Sequence, residues 1–357
     1  MPLCSTKRAL LAIAVIVGLG VAGLSAYFYQ QRRPLPGAST GAAPELLSLL
    51  PADAPTIGYL DLARLRRLEN SPLAAFLGLT SAGPQADREY TEFVRASGFD
   101  YQRDLDQVAF AAWPQSLVPQ ARGMGENPIL AIGEGRFNQE RIKAYALRTG
   151  RVVRNGSQSV EEVPGSPPLS LTFLSSTRIA LASGKNASEL LAKLGTPAAP
   201  EAGAQERIRR VAGAPIFAVL RTDQLPSSFY SSFGNSMQLE RLARSVRGLT
   251  LAGQPDGDKI KIAVDAECES MSNALELSTL LDFLRLGSSM ALADPKTRRQ
   301  MNQEQAAFLL TAVHQVKVGH QDKWVRLTLD VTPEMLGARS NAADPPRSAP
   351  RASPLAH

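Results

Sequence analysis

The sequence predicts an α+β protein: a single transmembrane helix over residues 9–29, then two halves of antiparallel sheet covered by helices, then a disordered C-terminal tail. Three observations predict it. The run from Ala9 to Tyr29 holds no charged residue. Short apolar/polar alternations bounded by turn residues are interleaved with helical periodicity from residue 45 onward. The order strand, helix, strand, strand, helix occurs twice, in 45–200 and in 201–337.

The uncharged run ALLAIAVIVGLGVAGLSAYFY has 21 residues. At about 1.5 Å per residue it spans roughly 31 Å as a helix, the thickness of a hydrocarbon core. Tyr27, Phe28 and Tyr29 suit the headgroup level, and Arg32 and Arg33 follow them. Lys7, Arg8 and the terminal amine lie on the other side, so residues 1–8 are expected in the cytoplasm and the body outside it, in the periplasm of a Gram-negative cell. The run is longer than a signal-peptide apolar region, and Leu24 spoils the small-residue pattern before Ala26, which favours an uncleaved signal-anchor of the inner membrane. Gly18-Leu19-Gly20-Val21-Ala22-Gly23 matches G-x-G-x-x-G. A dinucleotide site also needs a helix, a second strand and an acid at that strand's end. Here Pro34 intervenes, and the first acid is Glu45. Ala14, Gly18, Ala22 and Ala26 recur every four residues, a stripe through which two spans could pack as a homodimer.

The net charge of +6 suggests nucleic acid until it is located. Residues 1–33 and 338–357 hold seven basic residues and one acid; without them 32 of each sign remain in 34–337. The body is formally neutral, which argues against phosphate binding. Cys4 and Cys268 fall on opposite sides of the expected span, which excludes a disulfide within one chain. Residues 30–44, with PLPGASTGAAP, read as a flexible linker. The tail 338–357 carries four prolines and almost no large apolar residue.

In the first half, Thr56–Asp61 reads as a strand, followed by helical patterns around Leu65 and from Asp87 to Ala96. Strands 107–113 and 128–137 read as a pair. Asn138 caps a helix from Gln139, and short strands follow at 151–154, 160–163, 169–174 and 178–183. A helix over 186–194 stops at Gly195 and Pro197. In the second half, 215–221 reads as a strand leading to helical sequence. Strands 246–252 and 259–266 form a hairpin around Gln254-Pro255-Asp256-Gly257. A helix over 270–286, another ending near Val313, and strands at 316–319 and 323–331 complete the body.

Three segments resemble a group of bacterial membrane-anchored envelope proteins: LLPADAPTIGYLDLARLRRLENSPLAAFL, GFDYQRDLDQVAFAAW and GEGRFNQERIKAY. The likeness rests on Leu50-Pro51-Ala52-Asp53 leading into a strand, with Ser71-Pro72 beyond, and covers residues 49–195. It implies the anchored architecture and no activity, cofactor or site residue.

No catalytic, cofactor-binding or metal-ligating residue is predicted. His314 and His320 have an even spacing that suits one strand face, but a third ligand is missing, and His357 lies in the tail. Asp100, Asp104 and Asp106 lack the spacing of a calcium loop and read as turn and cap residues. Glu161-Glu162 and Glu267-Glu269 read as solvated strand edges. Arg207, Arg209 and Arg210, with Arg241, Arg244 and Arg247, read as solvated helix faces. No G-x-S-x-G elbow occurs. The expectation is a non-enzymatic, membrane-anchored module that binds or scaffolds another envelope protein. Alternatives are an envelope hydrolase with an unmarked site and a subunit of a secretion or pilus apparatus.

Overall fold

The computed structural model describes residues 45–67, 88–113, 128–148, 150–155, 158–163, 168–184, 186–194, 202–224, 237–293, 303–332 and 335. The expected span 9–29, the linker 30–44 and the tail 338–357 lie outside the described residues, as does the small-residue stripe from Ala14 to Ala26. Among the described residues no helix is long and apolar enough to cross a membrane.

In chain order the first half comprises α1 (Glu45–Ser48), β1 (Thr56–Asp61), α2 (Leu62–Arg66), α3 (Arg88–Ser97), α4 (Tyr101–Asp104), β2 (Leu105–Ala112), β3 (Ile129–Gly135), α5 (Gln139–Ala146), β4 (Arg151–Asn155), β5 (Gln158–Val163), β6 (Leu169–Phe173), β7 (Arg178–Ser183) and α6 (Ala187–Ala192). The second comprises α7 (Ala202–Val211), β8 (Ile216–Arg221), α8 (Met237–Arg244), β9 (Val246–Asp256), β10 (Lys259–Cys268), α9 (Met271–Ala293), α10 (Gln303–Gln315), β11 (Lys317–Gln321) and β12 (Trp324–Val331).

The expectation of two sheets, one per half, is overturned. All these strands join one 12-stranded antiparallel sheet in the order β11-β12-β10-β9-β8-β1-β2-β3-β7-β6-β5-β4. The join is β1 against β8, with Thr56 opposite Leu220 and Leu60 opposite Ile216. Backbone bonds from Arg221 to the Pro55 carbonyl and from Asp61 to the Pro215 carbonyl extend the pairing at both ends. The physical reason lies in β8, IFAVLR, whose apolar residues serve both faces. Such a strand gains from a neighbour on each edge, and β1 supplies one while β9 supplies the other.

Helices cover both faces rather than one. Because strand side chains alternate, Tyr59, Ala109, Ile132 and Phe217 point to one face, where they meet Leu46 of α1, Leu190 and Leu191 of α6 and Val211 of α7. Their neighbours Leu60, Val108, Phe110 and Ile216 point to the other and meet Leu65 of α2 and Ala312 of α10. On that second face α5 packs Ile142 and Ala146 over Leu171 and Ile179. At the other end of the sheet, α8 and α9 set Leu242, Ala274 and Leu277 over Val264, Ala266, Val325 and Leu327. Full burial of a side chain such as Phe217 contributes about 2–3 kcal/mol.

Candidate docking surface

The long helix α9 begins where the Ser270 hydroxyl accepts the backbone N–H of Asn273, a side-chain cap. It continues without proline for 23 residues to Ala293, past the end at Leu286 expected from the sequence. Its inner side is held by Ala274, Leu277 and Leu292, all buried. The outer side of a surface helix is ordinarily polar. Here Leu275, Phe283, Leu286 and Met290 are 51%, 71%, 52% and 76% exposed. At 100° per residue these four fall within about 80° of the circumference, opposite the buried side, and run along about 22 Å of the axis. Met271 adds a further exposed apolar side chain at the start of the helix.

Several polar groups of this helix are bonded elsewhere, whereas Asp282, at the stripe's margin, has one buried carboxylate oxygen without a partner. Glu276 pairs with Arg241 of α8 and takes a 3.5 Å bond from Gln238. Thr279 donates to the Leu275 carbonyl at 2.8 Å, Ser278 to the same carbonyl at 2.9 Å and Ser288 to the Leu284 carbonyl at 2.8 Å. A hydroxyl satisfied within its own helix has little need of water. Burial pushes the Asp282 carboxyl above its ordinary value, against the lowering effect of Arg285. The arrangement is an exposed apolar strip in which Ser278, Thr279 and Ser288 bond back to their own helix.

The residues weighed from sequence are dispersed. His314 sits on α10 and His320 on β11, so they do not share a strand face. His320 Nδ1 lies 3.2 Å from Ser278 Oγ. Since that hydroxyl donates to its own helix, the contact pins α9 to the edge strand. Among the described residues no cluster of three or more His, Cys, Asp or Glu side chains could hold a metal. Asp100 accepts the Gln102 N–H as an N-cap, and Asp104 is buried against Arg103 at 2.8 Å.

Two expectations of solvation are corrected. Glu161 and Glu267 are buried, and so is Arg207. Glu267 accepts from Arg207 Nε at 2.8 Å and from Lys323 at 2.6 Å. Burial pushes its carboxyl up, but those two cations outweigh it and hold it below its ordinary value. Beside it Arg326 grips Asp265 through two bonds of 2.6 and 2.7 Å, and the Arg210 guanidinium stacks 3.7 Å over Trp324. The Arg207–Glu267 pair and the Arg210–Trp324 stack clamp α7 onto β10 and β12, while Arg326 and Asp265 tie β12 to β10. Period-two alternation places Asp265 and Glu267 on one face, but only the path of α7 decides that this face is covered.

No protein family matches the sequence. No curated protein matches it either. Among solved structures the fold is similar to that of the Treponema protein TP0453. Its crystal form III aligns with a TM-score of 0.46 at 9% identity, over 84% of this chain and 98% of that one. Crystal form IV gives 0.46 at 9% identity over 85% and 98%, and form I 0.42 at 11% over 83% and 96%.

Proposed function

We propose that this chain is a membrane-tethered, extracytoplasmic protein of a bacterial envelope that works by docking to another protein rather than by catalysis. The apolar stretch 9–29 holds it at the inner membrane, residues 30–44 are the spacer, and the outer stripe of α9 receives the partner. The single observation that carries the reading is the line of exposed Leu275, Phe283, Leu286 and Met290 along one side of α9. Contiguous exposed apolar surface of this kind marks interaction sites.

The experiment is fractionation followed by purification. Full-length chain is expected in the membrane pellet, resistant to carbonate, and a chain lacking residues 1–33 in the supernatant. Purified from membranes, the full chain is expected to carry a stoichiometric protein partner, and a Phe283→Glu/Met290→Glu variant is expected to lose it. Full-length protein that is uncleaved, unaggregated and in the supernatant overturns the tether. Retention of the same partner by the double variant overturns the docking face.

A further inference from the structure

We infer that the single sheet is built from two copies of one folding unit, residues 45–194 and 202–335, related by a two-fold axis between Gly58 and Ala218. The edges of β1 and β8 are the surface by which one unit recognises the other. This goes beyond the docking reading and does not depend on it.

Strand order is the first argument. Outward from β1 the neighbours are β2, β3, β7 and β6; outward from β8 they are β9, β10, β12 and β11. Each unit lays its first three strands side by side, crosses over, and sets its last strand beside the third, with the preceding strand outside it. The crossover contains a helix in both, α5 in one and α9 in the other. These helices lie on the same face. α5 packs on Leu171 and α9 near Val264, and the row of directly paired residues from Leu171 through Phe110, Gly58 and Ala218 to Val264 stays on one side. The pairing at the centre has the matching symmetry. Thr56 stands opposite Leu220 and Leu60 opposite Ile216, so a rotation about the Gly58–Ala218 pair that carries β1 onto β8 also carries β8 onto β1.

An irregularity repeats as well. The β2–β3 register slips between Leu105 and Gln107, leaving Asp106 as the extra residue; the β9–β10 register slips beyond Glu267, leaving Arg247. Both slips fall at the same rung. Gln107–Glu134 and Gly248–Glu267 are each three pairs along from the row of Gly58 and Ala218. Bulges are kept among related sheets because they re-aim a strand. The glutamate at each bulge also has the same task. Glu134 takes Arg178, which in turn bonds Glu45 of α1, and Glu267 takes Arg207 of α7. α1 and α7 are the helices that precede β1 and β8. Each unit therefore opens with a helix tied, through an arginine, to the bulge of its central hairpin.

The seam joins the units on both faces. The rings of Tyr59 and Phe217 lie 5.4 Å apart on one, and Leu60 and Ile216 share a buried cluster on the other. Arg64 donates across it to the Gly213 carbonyl at 3.0 Å. The copies differ most in the crossover, where α9 has 23 residues against eight in α5.

The test cuts the full chain without removing any of it. A protease site replaces residues 196–200, between the units, and the folded protein is cleaved in mild detergent. The halves are expected to co-elute, with a melting midpoint that rises with concentration after cleavage and not before, since association then enters the equilibrium. Tyr59→Ala with Phe217→Ala weakens the seam. The cut double variant is expected to separate on dilution while the amides of β2, β3, β9 and β10 keep their slow hydrogen exchange. The uncut double variant is expected to melt cooperatively; if it does not, rising urea on the cut parent chain takes its place, with the same outcomes. Halves that lose their slow exchange as they part show one indivisible sheet and overturn the two units. Halves of the cut double variant that stay together at every dilution overturn β1 and β8 as the joining surface. Neither result bears on the α9 stripe, so the docking reading is judged separately.

Discussion

Gly248 on β9 stands directly opposite Glu267 on β10, and the side chain missing at Gly248 is the slot through which Arg207 reaches Glu267. A Cβ at Gly248 would collide with the Arg207 guanidinium. The glycine is there for a neighbour's side chain and not for a turn. Gly248→Ala is therefore expected to destabilise the protein by about 2–4 kcal/mol, close to the loss from Arg207→Ala, because either change leaves Glu267 with one cation. Urea melts of the two single variants and the double variant check this. Full additivity of the two losses would show that Gly248 does not act through Arg207.

The buried carboxyl of Glu161 behaves in the opposite sense to Glu267. Its neighbour Lys143 stays 4.0 Å away, one carboxylate oxygen lacks a hydrogen-bond partner, and burial raises it above the ordinary 4.5. A group raised in the folded state contributes stability below its unfolded value and loses it as pH rises through its folded value. Glu161→Gln should then stabilise the protein by about 1 kcal/mol near pH 7.5, with the gain vanishing below about pH 4. Chemical denaturation across that range measures it. A variant less stable than the parent at neutral pH would mean that attraction to Lys143 outweighs the burial.

Gly58 lies under the ring of its cross-strand partner Phe110, where a Cβ would overlap the ring atoms. Phe110 is itself buried and has nowhere to move. Gly58→Ala is expected to cost about 2–3 kcal/mol, and Gly58→Ala with Phe110→Leu distinctly less than the sum of the two singles. Thermal melts of the set decide it; strict additivity would remove the steric explanation.

Phe283 and Met290 of α9 are largely exposed and contribute little to folding. Phe283→Glu and Met290→Glu should each change the unfolding free energy by no more than about 0.5 kcal/mol, because neither side chain is packed in the isolated fold. A loss above about 1.5 kcal/mol by urea denaturation would show that these residues are covered within the chain itself.

Local signals were legible wherever the physics is local. The Thr56–Asp61 strand, the Asn138 cap, the pairing of β2 with β3 and the hairpin whose Gly257 takes φ +62° all follow from alternation, capping and turn chemistry. The join of β1 to β8 was not legible, because pairing across about 160 residues depends on which edges remain open after the local hairpins form. The burial of Glu161, Arg207 and Glu267 was hidden for a related reason: alternation assigns a face, and a distant helix decides whether that face is wet. The apolar stripe left a signal that a helical wheel carries, since Leu275, Phe283, Leu286 and Met290 share one side while Ser278, Asp282, Arg285 and Ser289 share another. Ending the helix at Leu286, before Gly287-Ser288-Ser289, cut Met290 from the pattern.

Among the described residues the sheet ends in two edge strands, β4 and β11, each paired on one side only. A long open sheet invites end-to-end growth, in which each added copy presents a fresh border to the next. Arg151 in β4, exposed beside its partner Glu162, and Lys317 at the start of β11 place basic side chains on both borders, which opposes border-to-border approach. Crowding such molecules side by side is therefore expected to leave the two borders unjoined.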